Sequence, residues 1–279
     1  MFFGNCLIDD IRQFFLENSL AFPIQSGRIK HGGFGIDEKE DERIMEDKRK
    51  LVTRFLHHNM CVVGGFMGGF AVLTKCDFLG NAQTANLIYF IMAILGHNMG
   101  EVFLRLTAVL IYFTGGFSYV FIKKRTSYNP KMIALIVDFV AILMLGLIPE
   151  HVNPVVSLYP IFFSMSFQWN CFPGEYGYTS STIFSTNNLR QVSLSIAEFI
   201  LEHDSRHLHK AGFFACSLLF FHIGVASSYF AVRFFGIHGI WFNWIYLISA
   251  MGFMMWEISF SREQKKQIPV SAHCLADAH

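Results

Sequence analysis

From residue 59 onward the chain alternates long apolar blocks with short polar breaks. The blocks run over 59–74, 87–97, 102–122, 132–149, 153–170, 211–232 and 237–258, with a weaker amphipathic stretch at 189–201. A helix that crosses a membrane needs about 20 predominantly apolar residues. The third, fourth and fifth blocks and the last two meet that length, and 59–74 meets it if it begins near His57. Two segments fall short. The one that follows Thr84-Ala85-Asn86-Leu87 is apolar only as far as Gly96-His97. The one that follows Thr186-Asn187-Asn188-Leu189 carries Arg190, Gln191, Ser193, Ser195 and Glu198. A single Arg at mid-membrane costs roughly 2.5–3.5 kcal/mol on insertion scales. The pattern predicts an all-α polytopic membrane bundle of six spans and two partial segments, with eight crossing segments as the alternative.

Charge placement favours six. Positive residues mark the cytoplasmic side. Lys48-Arg49-Lys50 with Arg54, Lys123-Lys124-Arg125 with Lys131, and Arg262 with Lys265 and Lys266 form clear clusters, and Arg206 with Lys210 a weaker one. With six spans and the N-terminus inside, all four fall on one side and only Arg233 does not. Residues 1–56 then form a cytoplasmic extension, in which Phe3, Leu7, Ile8, Ile11, Phe14 and Phe15 recur at helical spacing. Residues 261–279 form a cytoplasmic tail. Asp9 and Asp10 interrupt the first apolar run, so it does not read as a signal peptide.

Composition agrees. Of 279 residues, 53% are hydrophobic and 15% charged, and mean hydropathy is +0.39. Soluble domains average about 25% charged residues. The lipid bilayer is therefore the expected partner. A net charge of +1 gives no case for nucleic acid. Six scattered Cys make no CxxC pair, hence no thiolate metal site or disulfide framework.

The two short segments open on related tetrapeptides, Thr84–Leu87 and Thr186–Leu189, at an offset of 102. Gly115–Phe121 resembles Val225–Phe230 further on. Residues 57–150 and 151–260 then each read as span, partial segment, span, span. Three spans is an odd number, so the second half must be inverted. Inverted repeats with interrupted helices are a transporter architecture, and the interruptions point to the binding site.

The run GGFMGGFAVLTKCDFLGNAQTANLIYFIMAIL resembles the signature of the YoaK family, bacterial membrane proteins described as a domain of unknown function. SMSFQWNCFPGEYGYTSSTIFSTNNL is similar to that family's second half, with Met165, Gln168 and Asn170 in place. The resemblance covers about residues 60–258. It implies six spans, a bacterial inner membrane and a transporter-like protein with no established substrate. The chain departs from the family where Ala85 and Asn187 replace a Gly, and where Gly68 and Gly69 occupy a region that often holds an Asp.

The candidate chemistry follows from the interruptions. Thr84, Asn86, Thr186 and Asn188 are expected to cap their helices, or to meet near mid-membrane and present N–H and amide groups to a small polar or anionic solute. Gln83, Gln168 and Asn170 are expected to line the same cavity. Asp138, alone in MIALIVDFVAILML, and His222 are candidates for a coupling proton, and the family resemblance implies an acid at the Asp138 position. Arg190 and Glu198 lie two turns apart, facing a polar interior or the membrane interface. Gly64, Gly65, Gly68 and Gly69 make two GxxxG registers, which read as packing within the bundle; a homodimer seam is the alternative. His203, Asp204, His207 and His209 read as a solvated loop, and His57-His58 as an interface pair. The string shows no phosphate loop, no metalloprotease helix and no nucleophile elbow, so no enzymatic activity and no cofactor are expected. The expected function is transport by alternating access, proton-coupled through Asp138. The alternative is a membrane scaffold acting through residues 1–56.

Overall fold

The computed structural model describes residues 36–75, 80–174 and 177–267, with side chains from 43 to 260 within those limits. The first amphipathic pattern, residues 3–15, lies outside them. The described residues are helical, with no strand among them. The helices are α1 (Ile36–Thr74), α2 (Thr84–Leu95), α3 (Met99–Arg125), α4 (Pro130–Leu147), α5 (Pro154–Ser157), α6 (Tyr159–Cys171), α7 (Thr186–Glu202), α8 (Ser205–Phe235) and α9 (Asn243–Gln267), with a 3₁₀ turn at Gly236–Phe242.

Asx caps start several of them. Asn98, Asn129, Asn153 and Asp204 each accept a backbone N–H from the first turn that follows, and Pro130 and Pro154 occupy first positions, where no N–H is needed. Lys123, Lys124 and Arg125 close α3 at its negative dipole end.

Residues 56–252 form one compact unit. Its core is α1, apolar on every face from Met60 to Ala71, where Met60, Cys61, Val63, Phe66, Met67, Phe70 and Ala71, with Leu56 before them, are all fully buried. A helix hydrophobic all round must be enclosed by others. The glycines predicted to pack do so within the chain. A Cβ on Gly65 would overlap Phe221 O on α8, and one on Gly224 would overlap Val62 O on α1. On the other side of the bundle, Gly115 of α3 meets Phe163 O and Ser166 of α6 in the same way. His57 and His58 are also buried, against Phe213 and Phe220, rather than at an interface.

The second unit joins the described residues up to Phe55 with those from Phe253. There Thr53 Oγ1 donates to Glu257 Oε1 at 2.9 Å, and the Phe55 and Phe253 rings stack.

Four helical stretches are long and apolar enough to cross a membrane: Arg43–Thr74, Met99–Arg125, Pro130–Leu147 and Ser205–Phe260. The last is two helices. Ser227 Oγ and Tyr246 Oη lie 2.8 Å apart, whereas 19 residues of unbroken helix would separate them by roughly 28 Å. Gly236, with φ of +57°, and the 3₁₀ turn reverse the chain. The expected span at 153–170 is broken into α5 and α6. Pro160 lacks the N–H that would continue the helix, and the Leu158 N–H turns to Val155 O instead. The expected short segment 87–97 is α2, 12 residues long, or roughly 18 Å. That is well short of the ~30 Å of hydrocarbon in a bilayer.

Candidate functional site

The helical interruptions meet at the centre of the bundle through the non-helical residues that precede α2 and α7. Asn81 is 1% exposed. Its Nδ2 donates to Gly64 O on α1 and to Ile183 O, each at 2.8 Å. Ile183 is 102 residues from Asn81, the offset that relates the two tetrapeptides. The absence of side chains on α1 admits both segments. A Cβ on Gly64 would overlap Thr182 O, and one on Gly68 would lie 2.7 Å from Asn81 Nδ2.

Two more amides converge on α1. Gln168 Nε2 donates to Met60 O at 3.2 Å and to Thr182 Oγ1 at 3.0 Å. Asn243 Nδ2 donates to Val63 O at 3.3 Å. Rotating any of these amides would set oxygen against carbonyl oxygen, so the partners fix their orientation. Each leaves its oxygen buried and without a hydrogen-bond partner: Asn81 Oδ1, Gln168 Oε1 and Asn243 Oδ1. The centre therefore offers acceptors. Its amide donors are engaged by backbone carbonyls and by the Thr182 hydroxyl.

The tetrapeptides do different work from that expected. The residues ahead of α2 and α7, Gln83 and Ser185, make no side-chain cap, and Thr84 and Thr186 are exposed. Asn188 is 1% exposed. It accepts from Ser181 N and Ser180 Oγ and donates to Ser181 O, pinning the loop before α7. Asn86 donates to Gln83 Oε1 and to Arg105 O, and accepts from Arg105 Nη1. An Asn two residues into a helix is past the cap position, so its side chain bonds what lies beside the helix. The two Asn thus bind separate partners.

Arg105 was not foreseen. It is 6% exposed on α3, pairs with Glu101 at 3.1 Å and lies over the Tyr89 ring at 4.8 Å. Its signal in the sequence was a cation inside an apolar block, four residues after an acid.

Asn170 is exposed and donates to Ser166 O. His222 is exposed too, its Nδ1 bonded to Leu218 O. Arg190 is exposed, while Glu198 pairs with His207 and Lys210. Asp138 differs from all of these. It is fully buried at the centre of the inward face of α4, and neither carboxylate oxygen has a hydrogen-bond partner. Ser164 on α6 is the polar side chain set against it.

Outside the apolar segments, Asp204 caps α8. Hydrogen bonds from the Arg206 side chain and backbone hold its carboxyl low, at about 2. A carboxyl with a depressed folded value stabilises the fold above its unfolded pKa, about 3.9, and that contribution fades as pH falls toward the folded value. Asp204→Ala is expected to lower Tm at pH 7, with the gap to wild type closing between about pH 4 and pH 2. Parallel melting curves check this.

An all-α bundle with several helices long and apolar enough to cross a membrane, interrupted at its centre by two crossing non-helical segments, defines the class. The model of the family described as "Protein of unknown function (DUF1275)" matches residues 56–271, and the chain belongs to that family. The matched region begins where the apolar bundle begins. No curated protein and no solved structure matches the chain.

Proposed function

We propose that this protein is an integral membrane transporter of the YoaK type, moving a small polar solute by alternating access, with Asp138 carrying a coupled proton. The observation that carries the reading is the Asn81–Ile183 contact. Two non-helical segments cross at a fully buried point, and non-helical backbone at membrane depth is tolerated only inside protein or along a cavity. The matching packing of Gly115 on α6 and Gly224 on α1 supports two halves of inverted sense. The unpartnered acceptors on Asn81, Gln168 and Asn243 favour a solute that donates hydrogen bonds over an anion. The charge clusters and the family resemblance support a reading in which both termini face the cytoplasmic side of a bacterial inner membrane.

Proteoliposomes loaded with a pH-sensitive dye test this against a panel of amino acids, polyamines and sugars. At least one solute is expected to drive proton movement, and Asp138→Asn to abolish it while solute binding persists. Deleting residues 1–56 is expected to leave that flux intact, and Asn86→Leu with Asn188→Leu to reduce it. The scaffold alternative, acting through residues 1–56, requires the opposite pattern. Absence of solute-driven proton movement across the whole panel would sink the transport reading.

A further inference from the structure

The connection between α3 and α4 concentrates positive charge that the central crossing does not use. Lys123, Lys124, Arg125 and Lys131 fall within nine residues, and no acidic residue lies between Glu101 and Asp138. Glu101 pairs with Arg105, about 36 Å along α3 from Arg125, and Asp138 is fully buried. Lys123 is engaged locally, its Nζ 3.2 Å from Tyr119 Oη and above the Tyr119 ring. Lys124 and Arg125 are exposed, and among the described residues no acid pairs with either.

Helix geometry joins these two cations to an apolar surface. Residues four apart are neighbours on a helix, so Phe113, Phe117, Phe121 and Arg125 form one row on α3. The three phenylalanines are each more than half exposed. Lys124, three residues beyond Phe121, borders the same row. From Phe113 to Arg125 the row rises about 18 Å, against roughly 15 Å for the hydrocarbon of one leaflet. Tyr128, in the loop beyond, is 74% exposed, and such rings favour the level of the lipid headgroups. A row of rings as long as a leaflet, ending in two unpaired cations, matches a molecule with an acyl chain and an anionic head. A soluble phosphate gains nothing from the rings. A zwitterionic headgroup carries a cation of its own, which opposes Lys124 and Arg125.

We propose that Lys124 and Arg125, at the end of the outward phenylalanine row of α3, form a headgroup site for an anionic phospholipid whose acyl chain lies along Phe113, Phe117 and Phe121. Cations beside a membrane span attract anionic lipid, and their contributions add near the surface. The planar fork of Arg125 takes two phosphate oxygens at once, and Lys124 adds a point charge. The site rests on the membrane reading of the function proposed above, but on neither the central crossing nor Asp138, and it adds a partner to that reading.

Native mass spectrometry of the full-length protein in neutral detergent, titrated with phosphatidylglycerol or with phosphatidylcholine, tests the proposal without any transport. The first phosphatidylglycerol is expected to bind about tenfold more tightly than the first phosphatidylcholine. Lys124→Gln with Arg125→Gln is expected to cut that preference to less than about twofold at unchanged Tm, since both side chains are exposed. Phe117→Ser with Phe121→Ser is expected to weaken both lipids by about threefold or more and keep the preference. Arg206→Gln, at a cation already paired with Asp204, is expected to leave the preference in place. A preference that survives the Lys124 and Arg125 substitutions overturns the proposal. So does displacement of phosphatidylglycerol by inorganic phosphate, which would mark a site for soluble anions. So does phosphatidylglycerol binding that ignores the phenylalanine substitutions. This site and the transport reading fail separately. Absent proton movement in a protein that keeps its lipid preference removes transport alone, and an absent preference in the wild type removes this site alone.

Discussion

Gly65→Leu is expected to prevent the bundle from assembling. At Gly65, α1 meets α8 backbone to backbone, and any Cβ would overlap Phe221 O. Three residues farther along α8 than Phe221, Gly224 makes the reciprocal contact, where a Cβ would overlap Val62 O and crowd Phe66 N. Flexible side chains can yield to an intruder, but these are main-chain atoms of two helices locked by their own hydrogen bonds. Overpacking of cores costs typically about 1–3 kcal/mol. With backbone on both sides the cost is expected to exceed ~4 kcal/mol, the exceptional end of single substitutions. Size-exclusion profiles and thermal melts in detergent check this. Gly65→Ala is expected to lower Tm, and Gly65→Leu to yield no monodisperse protein. Gly252→Ala serves as control, because nothing lies within 4 Å of a Cβ there, and is expected to change stability by less than ~0.5 kcal/mol. A Gly65→Leu protein that melts like wild type would contradict the close approach of α1 and α8.

Asn81→Leu is expected to be the second most damaging change, and the more informative one for function. Leu fits the volume but donates nothing. The Gly64 and Ile183 carbonyls each lose a bond, and each such bond contributes about 0.5–1.5 kcal/mol. A loss of about 2 kcal/mol in stability is expected, because the space left by Gly68 is shaped to the Asn81 amide. The proton flux assay is expected to fall at least tenfold, because the crossing can no longer hold its register. Gln168→Leu, which removes the Met60 O and Thr182 contacts, is expected to act in the same direction. Full flux in Asn81→Leu would remove the crossing from the mechanism.

Much of the fold was legible because membrane-like helices announce themselves by length and hydropathy. The apolar blocks became α1, α3, α4, α8 and α9 nearly where the pattern set them, and the short segment after Thr84 became a short helix. The block at 153–170 misled because its hydropathy is continuous while its backbone is not: Pro160 breaks the helix without breaking the apolar run. The site was legible only in location. The tetrapeptides do mark where helices resume, but a motif does not say which neighbouring residue turns inward. Asn81, three residues before Thr84, takes the central position, while Asn86 is drawn aside by Arg105, a partner 19 residues away. Only tertiary contacts decide such competition among nearby polar side chains. Asp138 was legible for the opposite reason. An acid amid thirteen apolar neighbours stands out in any register, and the fold buries it completely.

The way the centre is tied together also bears on the order of assembly. Asn81 finds Ile183 only after 102 further residues exist, Met60 finds Gln168 after 108, and Val63 finds Asn243 after 180. Pairings so distant along the chain carry a large loop-closure penalty and form late. While the ribosome is still making α8 and α9, the nascent first half must therefore shelter its polar interruption by some temporary means. Chaperone or insertase dependence should consequently concentrate in the interval between synthesis of the first interruption and emergence of the last helix.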